Sequence, residues 1–397
     1  MVAPGSVGWR GGRLMDLNWK IALTWNDGKI EDVLLGVVRH ALWRTPLPSG
    51  ELTARRFGML MDVAVKQTVA GLVGAALMEE GSGVVLPSKA VLRMIMQERG
   101  IRSSNARVAS SLQSLCAMLG SSAIPFVVVK GQVVGSLYPR PELRMPGDID
   151  FYVSPADWDK ALKLVRLNWN PTFHADTDGE QHVAFEHEGT LFEMHYNLHK
   201  FYDRRNQAFF DGIVAHNISH ASAVRVPGAD CDVPTLCHAD NVLYTFLHLY
   251  HHLVELGCGL RQFCDLAMLL SHLELGAAEV GRLRRNLETL GFMGAFRAVG
   301  AVLVLFLGMP AEKFPFELAA ADGRYGGELL SIVFRGGNFG FHDISGPMRV
   351  GWRYYVKAFC RKAGRYRAFY HLAPRETHAM LMRELPRKVA LALTGKI

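Results

Sequence analysis

The chain has 397 residues, 49% of them hydrophobic and 20% charged, with a formal net charge of +7. This composition excludes a disordered chain, a low-complexity fibre and a disulfide-dense mini-protein, and it leaves room for two or three domains or one domain with large helical additions. The longest apolar run, Ala298 to Met309, is too short for a helix to cross a hydrocarbon layer of about 30 Å, and the moderate basic excess favours phosphate-rich partners.

Six cysteines, Cys116, Cys231, Cys237, Cys258, Cys264 and Cys360, form no CxxC pair, so a reduced compartment is expected. The start, MVAPGSVGWRGGRLMD, lacks the apolar core of a signal peptide, and the expectation is a cytoplasmic protein without a transmembrane segment. Residues 1–15 are Gly-rich and expected to be disordered. Residues 16–120 read as a helical lead-in. Within it, Glu31 to Trp43 places apolar side chains near the i, i+3, i+4, i+7 template. Phe57 to Glu79 reads as one longer helix, and Ser88 to Gly100 and Ser104 to Gly120 as two separate ones, each ending on glycine.

Residues 121–233 carry the chemistry. Phe126 to Val129 is a continuous apolar, β-branched run, as expected of a buried strand. Lys130-Gly131 breaks it, and the helix start at Gln132 to Tyr138 leaves backbone N–H groups pointing outward, a natural phosphate cradle. Ile149 to Val153 is the second strand, preceded by Asp148. Asp148 and Asp150, at i and i+2, share one strand face, which suits a divalent cation that also holds phosphate oxygens. Ser154 to Asp157 caps a helix through Leu167. A hairpin follows, His182 to Glu186 and Thr190 to Tyr196, in which Leu191, Glu193 and His195 share a face. A mid-strand carboxylate among apolar neighbours points to function.

Nucleotidyl transfer needs two carboxylates on one strand, a third on a neighbour and donors for the triphosphate. Lys130-Gly131, Arg144, Asp148, Asp150 and Glu193 supply those parts in order. The stretch resembles the nucleotidyltransferase superfamily typified by DNA polymerase β, and most closely its bacterial branch of uncharacterised nucleotidyltransferase family proteins. The motifs that carry the resemblance are Val129-Lys130-Gly131, Tyr138-Pro139, Arg144, Asp148-Ile149-Asp150 and Glu193-Met194-His195. A helical lead-in from Phe57, a histidine-rich helix and Arg261 with Asp265 also fit, so the similarity covers residues 57 to 275.

The resemblance implies an α+β fold, a small mixed-sheet core with helical segments before and after it. It implies Mg²⁺-dependent transfer of a nucleoside monophosphate from an NTP, with ATP the expected donor, to an unidentified hydroxyl acceptor. Two Mg²⁺ ions, with Mn²⁺ as an alternative, would sit on Asp148, Asp150 and Glu193, and Lys130, Gly131 and Arg144 would hold the triphosphate. The superfamily's usual glycine-serine turn is replaced here by Lys130-Gly131, so the lysine would stand in for the serine as a point charge.

Several residues carry two readings. Arg144 either binds phosphate or pairs with Asp148; Tyr138 either stacks on a base or packs in the core. His195 either orients a ligand or packs structurally. His248, His251 and His252 either line the acceptor or nucleotide cleft, His248 and His252 foremost, or join Cys258 and Cys264 around zinc, although no zinc-ligand spacing is present. Arg261 and Asp265 read as an i, i+4 helix salt bridge.

Residues 234–348 read as a helical domain, with helices at Asp240 to Leu256, Arg261 to Leu275, Ala277 to Leu290, Met293 to Leu307 and Pro315 to Ala321, and a Gly-rich loop from Gly323 to Pro347. In the last segment, 349–397, eleven Lys and Arg between Arg349 and Lys388 face two acids, with aromatics interleaved. That segment is either a packed helix with a charged outer face, a nucleic-acid groove or a membrane-surface patch. Two alternatives to an enzyme stay open: a binding module on the same fold without turnover, and an RNA-binding protein led by this tail.

Overall fold

The computed structural model describes residues 24–174, 181–272, 275–336, 364–384 and 386. The expected disordered start at 1–15 and most of the basic aromatic segment 349–397 lie outside the described residues. The architecture is α+β, as the residue pattern and the resemblance led us to expect. Four helices lead in, α1 (Ile30–Trp43), α2 (Ala54–Lys66), α3 (Ala70–Leu77) and α4 (Ser88–Ser121), with a short parallel pair β1 (Gly50–Glu51) and β2 (Val84–Val85). The centre is built from β3 (Phe126–Val129), α5 (Gly131–Gly135), β4 (Ile149–Val153), α6 (Trp158–Trp169), β5 (Thr172–Phe173), β6 (His182–His187) and β7 (Thr190–His195). After it come α7 (Arg204–Ser219), the hairpin β8 (Ser222–Arg225) and β9 (Asp232–Thr235), and helices α8 (His238–Glu255), α9 (Leu260–His272), α10 (Ala277–Leu290), α11 (Met293–Ala301), α12 (Ala320–Gly336) and α13 (Pro374–Ala379). Among the described residues no single helix is long and apolar enough to cross a membrane.

The five-stranded sheet runs in the order β3-β4-β7-β6-β5, with β4 and β7 parallel and the other neighbours antiparallel. Strand alternation gives it two different faces. Phe126, Val128, Ile149, Phe151, Val153, Phe192 and Met194 bury one face against Leu112, Leu115 and Leu119 of α4 and Ala161 and Val165 of α6. The intervening residues, Val127, Val129 and Tyr152 among them, belong to the larger core built with the surrounding helices. Asp150, Glu193 and His195 fall on this second face. Burying the first face fixes the register, because a one-residue slip would drive the carboxylates into the α4 and α6 core.

Four expectations about helices are corrected. The run from Phe57 to Glu79 is two helices, broken at Thr68, whose φ is 55°. The break frees Gln67, 1% exposed, to accept from Leu260 N–H at 3.0 Å and donate to the Val333 carbonyl at 3.1 Å, tying α9 to α12. Conversely, α4 runs unbroken for 34 residues through Gly100. A helical glycine costs only about 1 kcal/mol against alanine, which the packing of α4 on the sheet outweighs. Gly323 to Gly336 lies within α12 rather than in a loop, and Pro315 to Ala319 is not helical. Gly326 is there for close packing, since a Cβ would stand 3.1 Å from the Ala298 carbonyl oxygen and from Ala301 Cβ.

Gly71 in α3 has a sharper constraint, for a Cβ there would lie 2.1 Å from the Leu143 carbonyl oxygen. Backbone cannot swing aside as a flexible side chain does. Gly71→Ala is therefore expected to destabilise by about 1–3 kcal/mol or more, read as a lower urea midpoint. It would also displace the 3₁₀ turn Pro141–Leu143 that leads into Arg144.

The C-terminal α13 docks through Glu376, whose carboxylate accepts from the Tyr202 and Asp203 backbone N–H groups and from Asn206 Nδ2. Burial nonetheless pushes the Glu376 carboxyl up to about 7, against those hydrogen bonds. A carboxyl whose folded pKa exceeds its unfolded value favours the fold most when protonated. Its contribution is full below the ordinary value of 4.5 and is lost as pH rises through about 7. Melting temperature followed over that window should fall in the wild type and fall less in Glu376→Gln.

Candidate active site

At the end of β3 the chain turns through Lys130 and Gly131, with φ of 55° and 42°. Gly131 faces the Asp148 carbonyl oxygen, which a Cβ would approach to 3.3 Å. A lysine held at positive φ costs on the order of 1–3 kcal/mol. The turn brings its ammonium 2.8 Å from Asp150 Oδ1 and 3.3 Å from His248 Nε2. Burial opposes the Lys130 charge, but Asp150 above all, with Asp148 and Glu193, holds it above its ordinary range.

Asp150 pairs in register with Val129 on one side and Glu193 on the other. Parallel pairing of β4 and β7 thus sets the two carboxylates side by side, and Asp148 enters from the turn before β4. One ligand oxygen from each of Asp148, Asp150 and Glu193 lies within 4.8 Å of the others. His195, one pleat beyond Glu193, directs Nε2 at Asp150 Oδ1 (3.0 Å) and Glu193 Oε2 (3.5 Å). Burial and repulsion from Asp150 raise the Asp148 carboxyl, while Lys130 and Arg261 oppose the rise. Glu193 is also penalised by burial, but the hydrogen bond with His195 and the charge of Lys130 leave it below the usual range. His195 stays above its ordinary value despite burial, because Asp150 and Glu193 bond to it. Three hard oxygen donors converging beside one lysine fit a divalent cation.

The opposite wall of the cleft comes from the helices: Thr245, His248, Leu249 and His252 of α8, and Arg261, Gln262 and Asp265 of α9. His248 is held well below its ordinary value and His252 at about 3, by burial first and then by neighbouring positive groups, which favours the neutral form of both imidazoles. They are not among the groups of three or more metal-ligand side chains found in the described residues, so the zinc alternative has no geometric support there. Thr245 Oγ1, Arg261 Nε and Gln262 Oε1 are buried without a protein partner. The sequence reading singled out neither Thr245 nor Gln262, because a lone threonine or glutamine in an apolar helix carries no spacing signal.

Two expectations about charge pairing change. Arg144 lines the cleft, but its guanidinium is bidentate to Asp265, with Nε at 2.7 Å and Nη2 at 2.8 Å from the two oxygens. Its ion-pair partner is Asp265 rather than Asp148. Tyr138, 3% exposed, donates to the same carboxylate at 2.6 Å. The i, i+4 pair of Arg261 and Asp265 does not form; Arg261 instead donates Nη1 to the Met145 and Pro146 carbonyls at 2.9 and 3.2 Å. Burial and the nearby Arg144 lower the Arg261 pKa, opposed by Asp265 and Asp148.

Residues 53–308 match the family described as uncharacterised nucleotidyltransferase, which covers most of the chain and the whole cleft. The chain belongs to this family. No curated protein matches it. It is similar to a solved structure of an antigenic nucleotidyltransferase-like protein from Paracoccidioides brasiliensis, at 14% identity over 48% of this chain and 86% of that one, with a TM-score of 0.31. In this family member, then, the cleft between the β4–β7 carboxylates and the α8–α9 wall is the candidate active site.

Proposed function

We propose that the protein transfers a nucleoside monophosphate from an NTP, ATP being the expected donor, to a hydroxyl acceptor with release of pyrophosphate, in dependence on Mg²⁺ or Mn²⁺. The observation that carries the reading is the in-register pairing of Asp150 with Glu193, with Asp148 in reach of both and Lys130 beside them. Divalent ions bound there would activate the attacking oxygen and neutralise charge on the leaving pyrophosphate. Asp148 and Asp150 would hold them, and Glu193, whose pKa lies below the usual range, would complete the set and take the acceptor proton. Lys130 and the Gly131 backbone face the triphosphate, and Arg261, whose Nε lacks a protein partner, replaces Arg144 as the arginine offered to phosphate. Arg144 positions the turn before Asp148 through Asp265.

The test is to incubate the full chain with each NTP, Mg²⁺ or Mn²⁺ and a panel of hydroxyl acceptors, and to measure pyrophosphate. Release that requires both metal and acceptor is expected. Nucleotide binding without release under any combination would overturn transfer in favour of a binding module.

A further inference from the structure

The strand pair that carries Glu193 also places two histidines on the acidic face. His182 is the direct cross-strand partner of His195 in the antiparallel β6–β7 pair, so their side chains share one face. Glu193, two residues before His195, shares it too. The imidazole centroids are 4.9 Å apart. His182 Nε2 lies 3.8 Å from Glu193 Oε1, and His195 Nε2 lies 3.5 Å from Glu193 Oε2. One ligand atom from each of the three lies within 4.8 Å of the others. Two donors at about 2.0–2.2 Å from a tetrahedral ion stand roughly 3.3–3.6 Å apart, so each histidine lies within a few tenths of an ångström of sharing an ion with Glu193. His195 is 5% exposed, and its Nδ1 is buried without a partner. Asp150 Oδ1 lies 3.0 Å from the same His195 Nε2, so an ion ligated there takes the place of the proton in that hydrogen bond.

We propose that His182, Glu193 and His195 form a second divalent-metal site, selective for a borderline transition ion such as Zn²⁺ and sharing Glu193 with the acidic triad. Two imidazoles and one carboxylate favour such an ion over Mg²⁺, which prefers an all-oxygen shell. Zinc binding itself does not depend on the transfer reaction. The consequence for activity rests on the proposed reaction: an ion seated here draws Glu193 away from Asp148 and Asp150, so zinc inhibits by competing for a shared ligand.

The test uses the full chain, stripped of metal by a chelator and titrated with Zn²⁺ against a chromophoric competitor in excess Mg²⁺. The wild type is expected to take up zinc with an affinity that falls about tenfold or more in both His182→Ala and His182→Gln. Asp148→Asn should leave it within about twofold. His182 is about one-fifth exposed, so its replacement should leave the circular dichroism spectrum unchanged. X-ray absorption at the zinc edge should show two imidazole nitrogens. Wild-type zinc affinity in both His182 variants, an oxygen-only shell, or an equal loss in Asp148→Asn would each overturn the site. Pyrophosphate release by zinc-free wild type in Mg²⁺ is measured separately; its absence would overturn the transfer reading while leaving the zinc result standing.

Discussion

Asp150→Asn is expected to reduce metal-dependent pyrophosphate release on the order of 10³-fold, the largest effect on activity we expect of any single substitution. The carboxylate lies between Lys130 Nζ at 2.8 Å and His195 Nε2 at 3.0 Å, 1% exposed. Asparagine keeps the shape and one acceptor oxygen but removes the charge that balances the lysine and attracts the cation. Leaving Lys130 buried without its counter-ion also costs stability, so activity must be compared below the melting transition of both proteins. Asp148→Asn separates the two effects. Asp148 bonds to neither Lys130 nor His195 among the described contacts, and burial already raises its carboxyl. The same loss of release without the loss of stability is expected. Full activity in Asp148→Asn would remove the acidic triad from the mechanism.

Which parts of this site the sequence reveals follows from the range of the forces involved. Strands β3 and β4 are legible to the residue, because apolar runs bounded by Lys130-Gly131 and by Gly147-Asp148 leave no competing period. The sharing of a face by Glu193 and His195 follows from alternation alone. Their alignment with Asp150 does not, since it needs β4 and β7 to pair in parallel across an intervening helix and hairpin. Two of the four helical misreadings have a common cause. Glycine and serine at 100–104 look like punctuation, and Gln67-Thr68 looks like helix interior, because local propensity is weak beside tertiary bonds. Gln67 bonds to Leu260 and Val333, nearly two hundred residues or more away in sequence. Arg144 and Asp265 are the clearest case. Each has a nearer candidate partner in sequence, Asp148 and Arg261, and each takes a distant one.

That pair sets the second expectation: Asp265→Ala should destabilise the protein by about 3–5 kcal/mol. The carboxylate receives two charged hydrogen bonds from Arg144 and one from Tyr138, and Arg144 is 4% exposed. Alanine leaves a guanidinium in a water-poor site with no anion and a buried phenol with no acceptor. The penalty is that of the stranded charge rather than of the lost attraction, so the apolar double variant Arg144→Met with Asp265→Leu should recover most of the stability. The pH dependence has the opposite sign to that at Glu376. Burial raises the Asp265 carboxyl, but Arg144 outweighs it and holds the folded pKa below the ordinary 3.8. Its contribution is therefore present above that value and lost as pH falls through the folded one. Acid unfolding should begin at higher pH in Asp265→Ala, and the double variant should lack the Asp265 component. Asn105 donates to the Glu142 and Arg144 carbonyls at 2.9 Å, so this turn is held from α4 as well as from α9. The double variant should then fold yet transfer nucleotide more slowly, because apolar packing restores the free energy of the turn but not the direction in which it delivers Asp148. A double variant as active as the wild type would show that Arg144 and Asp265 serve the fold alone.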